Sequence, residues 1–315
     1  MSSEQIHLTV MVFPGTQTLP LLAAQTWGYF EKRGLTVELK PAPNSEEQRA
    51  GLAAGRYQIV HGAADQCLAL VEAAEVDAMI VAGGDNGFNH LFVQPEIARI
   101  ADLRGRTLVA DVANTGWSFV LYDILKRHGL SRGDVIIHEA GAPFRRFEAM
   151  CADKTMAAAI LNPPFAIRAR RAGLRDMGAV VDTIGSYLGT VPYVLRSWAN
   201  ANSDALVGYL AGCIEGLRWV LDPAAKADAI KLVGERLNVP ADIAGEIHGA
   251  AADPVRFNER TFVDRRKSSW KCRRTRVIEP ESSIGRTRRR GRHEPDKMSN
   301  TPEVRPHLNA HGTWR

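Results

Sequence analysis

These 315 residues contain no paired-cysteine motif, no long apolar run and no common catalytic signature. The four cysteines, Cys67, Cys151, Cys213 and Cys272, lie far apart without CxxC spacing, so neither a zinc ribbon nor a disulfide framework is indicated. The nine histidines have no paired spacing either, and no metal site is assigned. No stretch approaches the roughly 20 apolar residues that span a bilayer, so no membrane insertion is expected. A nucleophile elbow, a P-loop, a dinucleotide fingerprint and HExxH are all missing, and no cofactor is expected. Met1-Ser2-Ser3-Glu4-Gln5 leads directly into the apolar Ile6–Val12 without a basic segment and an apolar h-region. The sequence as written therefore reads as cytoplasmic, and as periplasmic if a signal belongs upstream.

Charge is unevenly distributed. Residues 264–315 carry 15 Lys and Arg against 6 Asp and Glu, whereas the remainder carries 25 against 29. The folded part is thus mildly acidic, and no specific nucleic-acid partner is expected. The basic tail has few aliphatic residues and no periodicity, which predicts disorder because too little apolar surface is buried to offset ordering entropy. Three readings of the tail stand: a solvated extension arising from a reading-frame change, a basic arm for anionic surfaces, or a segment for a protein partner. It lacks the interleaved aromatics that base stacking needs.

One pattern occurs twice, about 95 residues apart. In the first copy Lys32-Arg33-Gly34-Leu35 ends a helical run. A strand-like Val37-Glu38-Leu39 follows, and the helical residues 49–56 then lead into Tyr57-Gln58-Ile59-Val60. In the second copy Lys126-Arg127-His128-Gly129-Leu130 precedes Val135-Ile136-Ile137, and residues 146–154 lead into the apolar 157–161. Glycine suits a left-handed helix cap in both. Further helices are expected over 19–33, from the Asn44/Ser45 cap with Gln48 as its box partner, after a capping Asp65, over 116–128, from Ser203 to 221, from Pro223 and after Pro240. Strands are expected over Ile6–Val12, 78–82, 91–93, Thr107–Ala110, 180–184 and Val191–Leu195, giving mainly parallel α/β sheets.

Pro20-Leu21-Leu22-Ala23-Ala24 with Trp27-Gly28-Tyr29-Phe30, then Gly51-Leu52-Ala53-Ala54-Gly55-Arg56-Tyr57-Gln58, then Ala101-Asp102-Leu103-Arg104-Gly105-Arg106-Thr107-Leu108-Val109, form an ordered set. This set resembles the substrate-binding proteins of ABC importers for sulfonates, taurine, nitrate and thiamine-precursor pyrimidines. The resemblance covers residues from about 6 to 263. It implies a type II periplasmic-binding-protein fold with two Rossmann-like α/β lobes joined by two hinge crossovers. Lobe I would comprise 1–86 and 188–263, lobe II 87–187, and the disordered tail 264–315. A small polar or anionic solute in the cleft and an ABC permease as partner follow from the same resemblance. Some relatives of this fold are cytoplasmic enzymes, so an enzyme using His61, with Asp65, as acid and base is the alternative; the catalytic cysteines of such relatives have no counterpart here.

In open α/β sheets ligands bind beyond the carboxyl ends of the strands. Gly15-Thr16-Gln17-Thr18 offers Gln17 and Thr18 before a helix with free N–H groups, suited to an anionic oxygen or to an ordinary cap. His61 reads either as a ligand contact and base or as a structural histidine. Asn114-Thr115-Gly116-Trp117-Ser118 combines the polar Asn114 and Thr115 with an indole, Trp117, able to stack on a planar ligand. Asn162, stiffened by the prolines after it, is expected across from Thr115. The hinges are expected at 83–89, which contributes Asn86, and at 185–189.

Overall fold

The computed structural model describes residues 5–85, 87–185 and 187–253; Asn86 and the basic tail lie outside the described residues. From the amino end the chain forms β1 (Ile6–Val12), α1 (Leu19–Thr26), β2 (Leu35–Pro41), α2 (Ser45–Ala53), β3 (Ile59–Gly62), α3 (Ala64–Ala73) and β4 (Ala78–Ile80). It then crosses to a second sheet through β5 (His90–Val93), β6 (Thr107–Ala110), α4 (Gly116–Arg127), β7 (Ile136–Glu139), α5 (Pro143–Ala152), β8 (Met156–Leu161), α6 (Phe165–Arg171), β9 (Arg175–Ala179) and α7 (Val180–Ile184). It returns as β10 (Val191–Leu195) and ends in α8 (Arg196–Ala201), α9 (Ser203–Leu221), α10 (Lys226–Leu237) and α11 (Ala241–Ala251).

The two sheets share one plan. Their strand orders are β2-β1-β3-β10-β4 and β7-β6-β8-β5-β9. In the first, β1 runs parallel to β2 and β3, and β10 enters antiparallel between β3 and β4. In the second, β6 runs parallel to β7 and β8, and β5 enters antiparallel between β8 and β9. Each sheet thus receives its antiparallel strand from the crossover arriving from the other, so both are mixed, with four of the five strands in each running one way as expected.

Alternation along the strands splits the core onto two faces of each sheet. Val10 packs with Leu21, Phe30, Tyr209 and Cys213, whereas Met11 packs on the opposite face with Leu52, Cys67 and Leu70. Leu108 packs with Val120, Leu121 and Ile124, and Val109 with Met150 and Ala166. The helices α9, α10 and α11 close over α1 through Leu19, Leu217, Val220, Val233 and Ile247. Arg171 on α6 reaches across to α11, its Nη1 and Nη2 donating to Asp242 and Glu246 at 2.6 Å each.

Several expected elements differ for identifiable reasons. The helix expected over 19–33 stops at Thr26 because Gly28, at φ 66°, turns the chain; a single 3-10 turn, Glu31–Arg33, then ends on Gly34 at φ 71°. The β-branched run at 180–184 is helical, since the position beside β5 is already taken by β9, a polar edge strand without a period-2 signal. Asn44 caps α2 by accepting from the Glu47 amide at 2.8 Å, but Gln48 donates to the His61 carbonyl at 3.0 Å instead of closing a capping box. Ala63, not Asp65, holds the N-cap position of α3.

Glycines let α9 lie directly on α1: a Cβ at Gly216 would strike the Pro20 carbonyl, and one at Gly212 the Phe30 ring. Gly216→Ala is expected to cost about 1–3 kcal/mol through overpacking, read as a lower urea midpoint. Gly249→Ala, where a Cβ meets nothing within 4 Å, should instead gain about 0.5–1 kcal/mol from higher helix propensity.

Candidate functional site

The carboxyl ends of the parallel strands in both sheets face one cavity of about 40 Å³, lined also by the two crossovers. From the first sheet come Phe13 and Gln17 after β1, Ser45 at the start of α2, and Gly62 and Gln66 around β3. From the second come Asp111 after β6, Trp117 on α4, Arg146 on α5 and Asn162 after β8. The crossovers contribute Asp85, Phe88 and Thr190.

Polar bonds tie the two walls together. The Asp111 carboxylate accepts the Ser45 amide, 3.4 and 3.2 Å from its two oxygens, and also the Ser45 hydroxyl. An acid of one lobe therefore sits at the N-terminus of a helix of the other, where backbone N–H groups and the helix dipole favour negative charge. Beside it the Ala142 amide donates to the Pro43 carbonyl at 3.0 Å. Asn162 Nδ2 donates to Gln17 Oε1 at 3.3 Å, and the Tyr187 hydroxyl donates to Asp65 at 2.7 Å.

Three buried side chains keep unpartnered atoms here. Arg146, 5% exposed, donates from Nη1 to the Ile160 carbonyl at 2.7 Å, and its Nε has no partner. Burial pulls its pKa down to about 10, opposed by Asp111, so it stays cationic at neutral pH. Asp85, 3% exposed, accepts the Gly87 amide at 2.7 Å through Oδ1, while Oδ2 has no partner. Burial raises its pKa to about 6, with the Gly87 amide and the Thr190 hydroxyl pulling the other way. Asn162, 4% exposed, leaves Oδ1 unpartnered.

Of the residues expected from sequence, Gln17, Trp117 and Asn162 line the cavity. Trp117 is half-buried and leans edge-on against Tyr187, with ring centroids 4.9 Å apart. His61 lines a neighbouring space of about 10 Å³; its Nε2 lies 2.7 Å from the Tyr209 hydroxyl, and burial lowers its pKa to about 3. Thr18 is buried and donates to the Gly15 carbonyl at 2.7 Å, away from the cavity lining. Thr115 donates to the Val112 carbonyl at 2.9 Å, and Asn114 is exposed, so neither side chain lines the cavity. Asp65, in the first turn of α3, is held by Tyr187, and burial raises its pKa. Asn162 meets Gln17 rather than Thr115, because the strand β8 faces the β1 loop across the cleft. Asn86 lies outside the described residues.

Ser45, Asp85, Asp111 and Arg146 were not singled out from sequence. Two of them carried a signal: Asp111 directly follows β6, and Asp85 is the one acid in the glycine-rich crossover at 83–89. Among the described residues no group of His, Cys, Asp and Glu is placed to hold a metal ion, and no helix is long and apolar enough to cross a membrane.

The sequence profile described as NMT1/THI5 like matches residues 15–183. This chain belongs to that family. No curated protein matches the chain. Among solved structures it is similar to the alkanesulfonate-binding protein SsuA from Xanthomonas axonopodis pv. citri bound to MOPS, at 16% identity and TM-score 0.67, over 79% of this chain and 85% of that one. It is similar to the periplasmic nitrate-binding protein NrtA from Synechocystis at 13% identity and TM-score 0.67, over 76% and 69%. A Candida albicans protein described as having the generic periplasmic binding protein fold matches at 13% identity and TM-score 0.62, over 78% and 80%. At such identities the likeness is one of fold, and the fold is that of the periplasmic binding proteins.

Two buried groups make stability depend on pH with opposite signs. His61 protonates at 6.5 when unfolded and near 3 when folded, so its contribution is lost as pH falls through that window. Asp85 ionises at 3.8 unfolded and near 6 folded, so stability falls as pH rises between those values. Melting curves from pH 3 to 7 should show a flatter acid limb for His61→Gln, whereas Asp85→Asn should lose the decline between pH 4 and 6. Slopes identical to the parent chain would remove these assignments.

Proposed function

We propose that the chain binds a small polar or anionic solute in the interlobe cavity and serves as the substrate-binding component of an ABC importer, with a permease as its partner. The observation that carries this reading is a cavity lined from both sheets and both crossovers in which a buried guanidinium, Arg146, retains its charge. Trp117, Phe13 and Phe88 add flat apolar walls suited to an aromatic or aliphatic portion of the solute. Membership of the family and the fold shared with proteins named as alkanesulfonate- and nitrate-binding point the same way. Segments 1–86 with 188–263, and 87–187, are the two bodies that would close on the solute, with the crossovers as hinges. A space of about 40 Å³ admits little more than a few small groups, so a larger solute enters an opened cleft. Work for an importer is extracytoplasmic. His61 as acid or base gains nothing from its placement: the ring is buried beside Tyr209 and outside the cavity that both sheets line.

The test is a thermal-shift screen of the full chain against sulfonates, nitrate, aromatic carboxylates and pyrimidines. A solute at a hundred times its Kd should stabilise the fold by about 2.7 kcal/mol and be recovered chemically unchanged. Trp117→Ala should weaken that solute by about tenfold, the loss of one aromatic contact of roughly 1–1.5 kcal/mol. Asn114→Ala should leave affinity unaltered. Conversion of the solute would replace binding by catalysis, and equal effects of the two substitutions would misplace the site.

A further inference from the structure

The polar atoms left unpaired on residues that line the cavity do not make a general anion site. Its charged lining consists of one cation, Arg146, and two acids, Asp111 and Asp85. Asp111 is already engaged by the Ser45 amide and hydroxyl. With Asp85 ionised the lining therefore carries a net negative charge, which opposes a simple monoanion. Two buried acceptors, Asp85 Oδ2 and Asn162 Oδ1, have no partner, although their residues are only 3% and 4% exposed. Buried acceptors in folded proteins are overwhelmingly paired, and each one left bare costs about 1–3 kcal/mol. Arg146 Nε is the matching unpaired donor; it belongs with Asn162 to the second sheet's side, whereas Asp85 lies on the crossover that leaves the first.

We propose that the solute carries an N–H or ammonium donor as well as an acceptor group, and that Asp85 with Asn162 reads the donor while Arg146 takes the acceptor. The inference rests on the solute-binding reading above and narrows it to zwitterions and N–H-bearing heterocycles. A donor-free oxyanion would set its lone pairs against those of Asp85 and Asn162, whereas a donor supplies the missing hydrogen bonds. Sites built to satisfy buried polar groups discriminate strongly against analogues lacking the complementary group. Asp85 is also placed to link recognition to closure, because its backbone joins the two crossovers: its amide donates to the Thr190 carbonyl at 3.2 Å and its carbonyl accepts the Gly189 amide at 3.0 Å.

Calorimetric titration of the full chain with three matched pairs tests this: 2-aminoethanesulfonate and ethanesulfonate, 3-aminopropanoate and propanoate, 4-aminopyrimidine and pyrimidine. In at least one pair the donor-bearing member should bind about tenfold or more tighter than its partner. Asp85→Asn, which keeps the side-chain shape, should shrink that preference to about threefold or less, and Asn162→Ala provides a second variant if the first unfolds. Donor-bearing and donor-free members binding equally would overturn the donor assignment and leave solute binding intact. A preference that survives in both variants would overturn the roles of Asp85 and Asn162. Failure of all six compounds to bind would count against the inference and against solute binding alike.

Discussion

The Asp85 amide donates to the Thr190 carbonyl, and the Gly189 amide donates back to the Asp85 carbonyl. This antiparallel rung, standing outside the named strands, holds the outgoing and returning crossovers side by side. The approach is close enough that a Cβ at Gly84 would overlap the Thr190 carbonyl, which leaves room for glycine alone at that spot. Once the crossovers are adjacent, β5 and β10 must enter their sheets in the same slot, and the parallel strands of both sheets point their carboxyl ends at a shared space. The cavity is a consequence of that topology, and Asp85 lines it because the rung does.

Charge is then handled differently on each side of the cleft. Asp111 is held by the start of α2, so its burial is offset by amide and hydroxyl bonds rather than by a countercharge in contact. Arg146 and Asp85 are each only partly satisfied. Leaving buried polar atoms unpaired costs stability, and such sites commonly trade stability for binding. His61 shows the opposite solution: burial keeps it uncharged, and one hydroxyl partner suffices.

Much of the architecture was legible in the chain. Gly34-Leu35 and Gly129-Leu130 marked the two halves of the repeat, because a left-handed cap followed by an apolar strand is a local event that tertiary structure does not alter. The strand Thr107–Ala110 and the amphipathic α9 were readable for the same reason. What failed depended on partners. The run at 180–184 has strand propensity but no free sheet edge, and β9 has an edge but little propensity. The cavity lining divides likewise: Gln17, Trp117 and Asn162 follow from lying beyond strand ends, whereas Arg146, in the first turn of α5, carries no such signal in the sequence.

The fork from Arg171 to Asp242 and Glu246 bridges the lobes through side chains that are 42%, 63% and 50% exposed. Ion pairs this wet contribute little individually, and their strength declines as dissolved electrolyte rises. The medium thereby has a say in this one contact between the two sheets' sides: dilute surroundings tighten it, and briny ones loosen it.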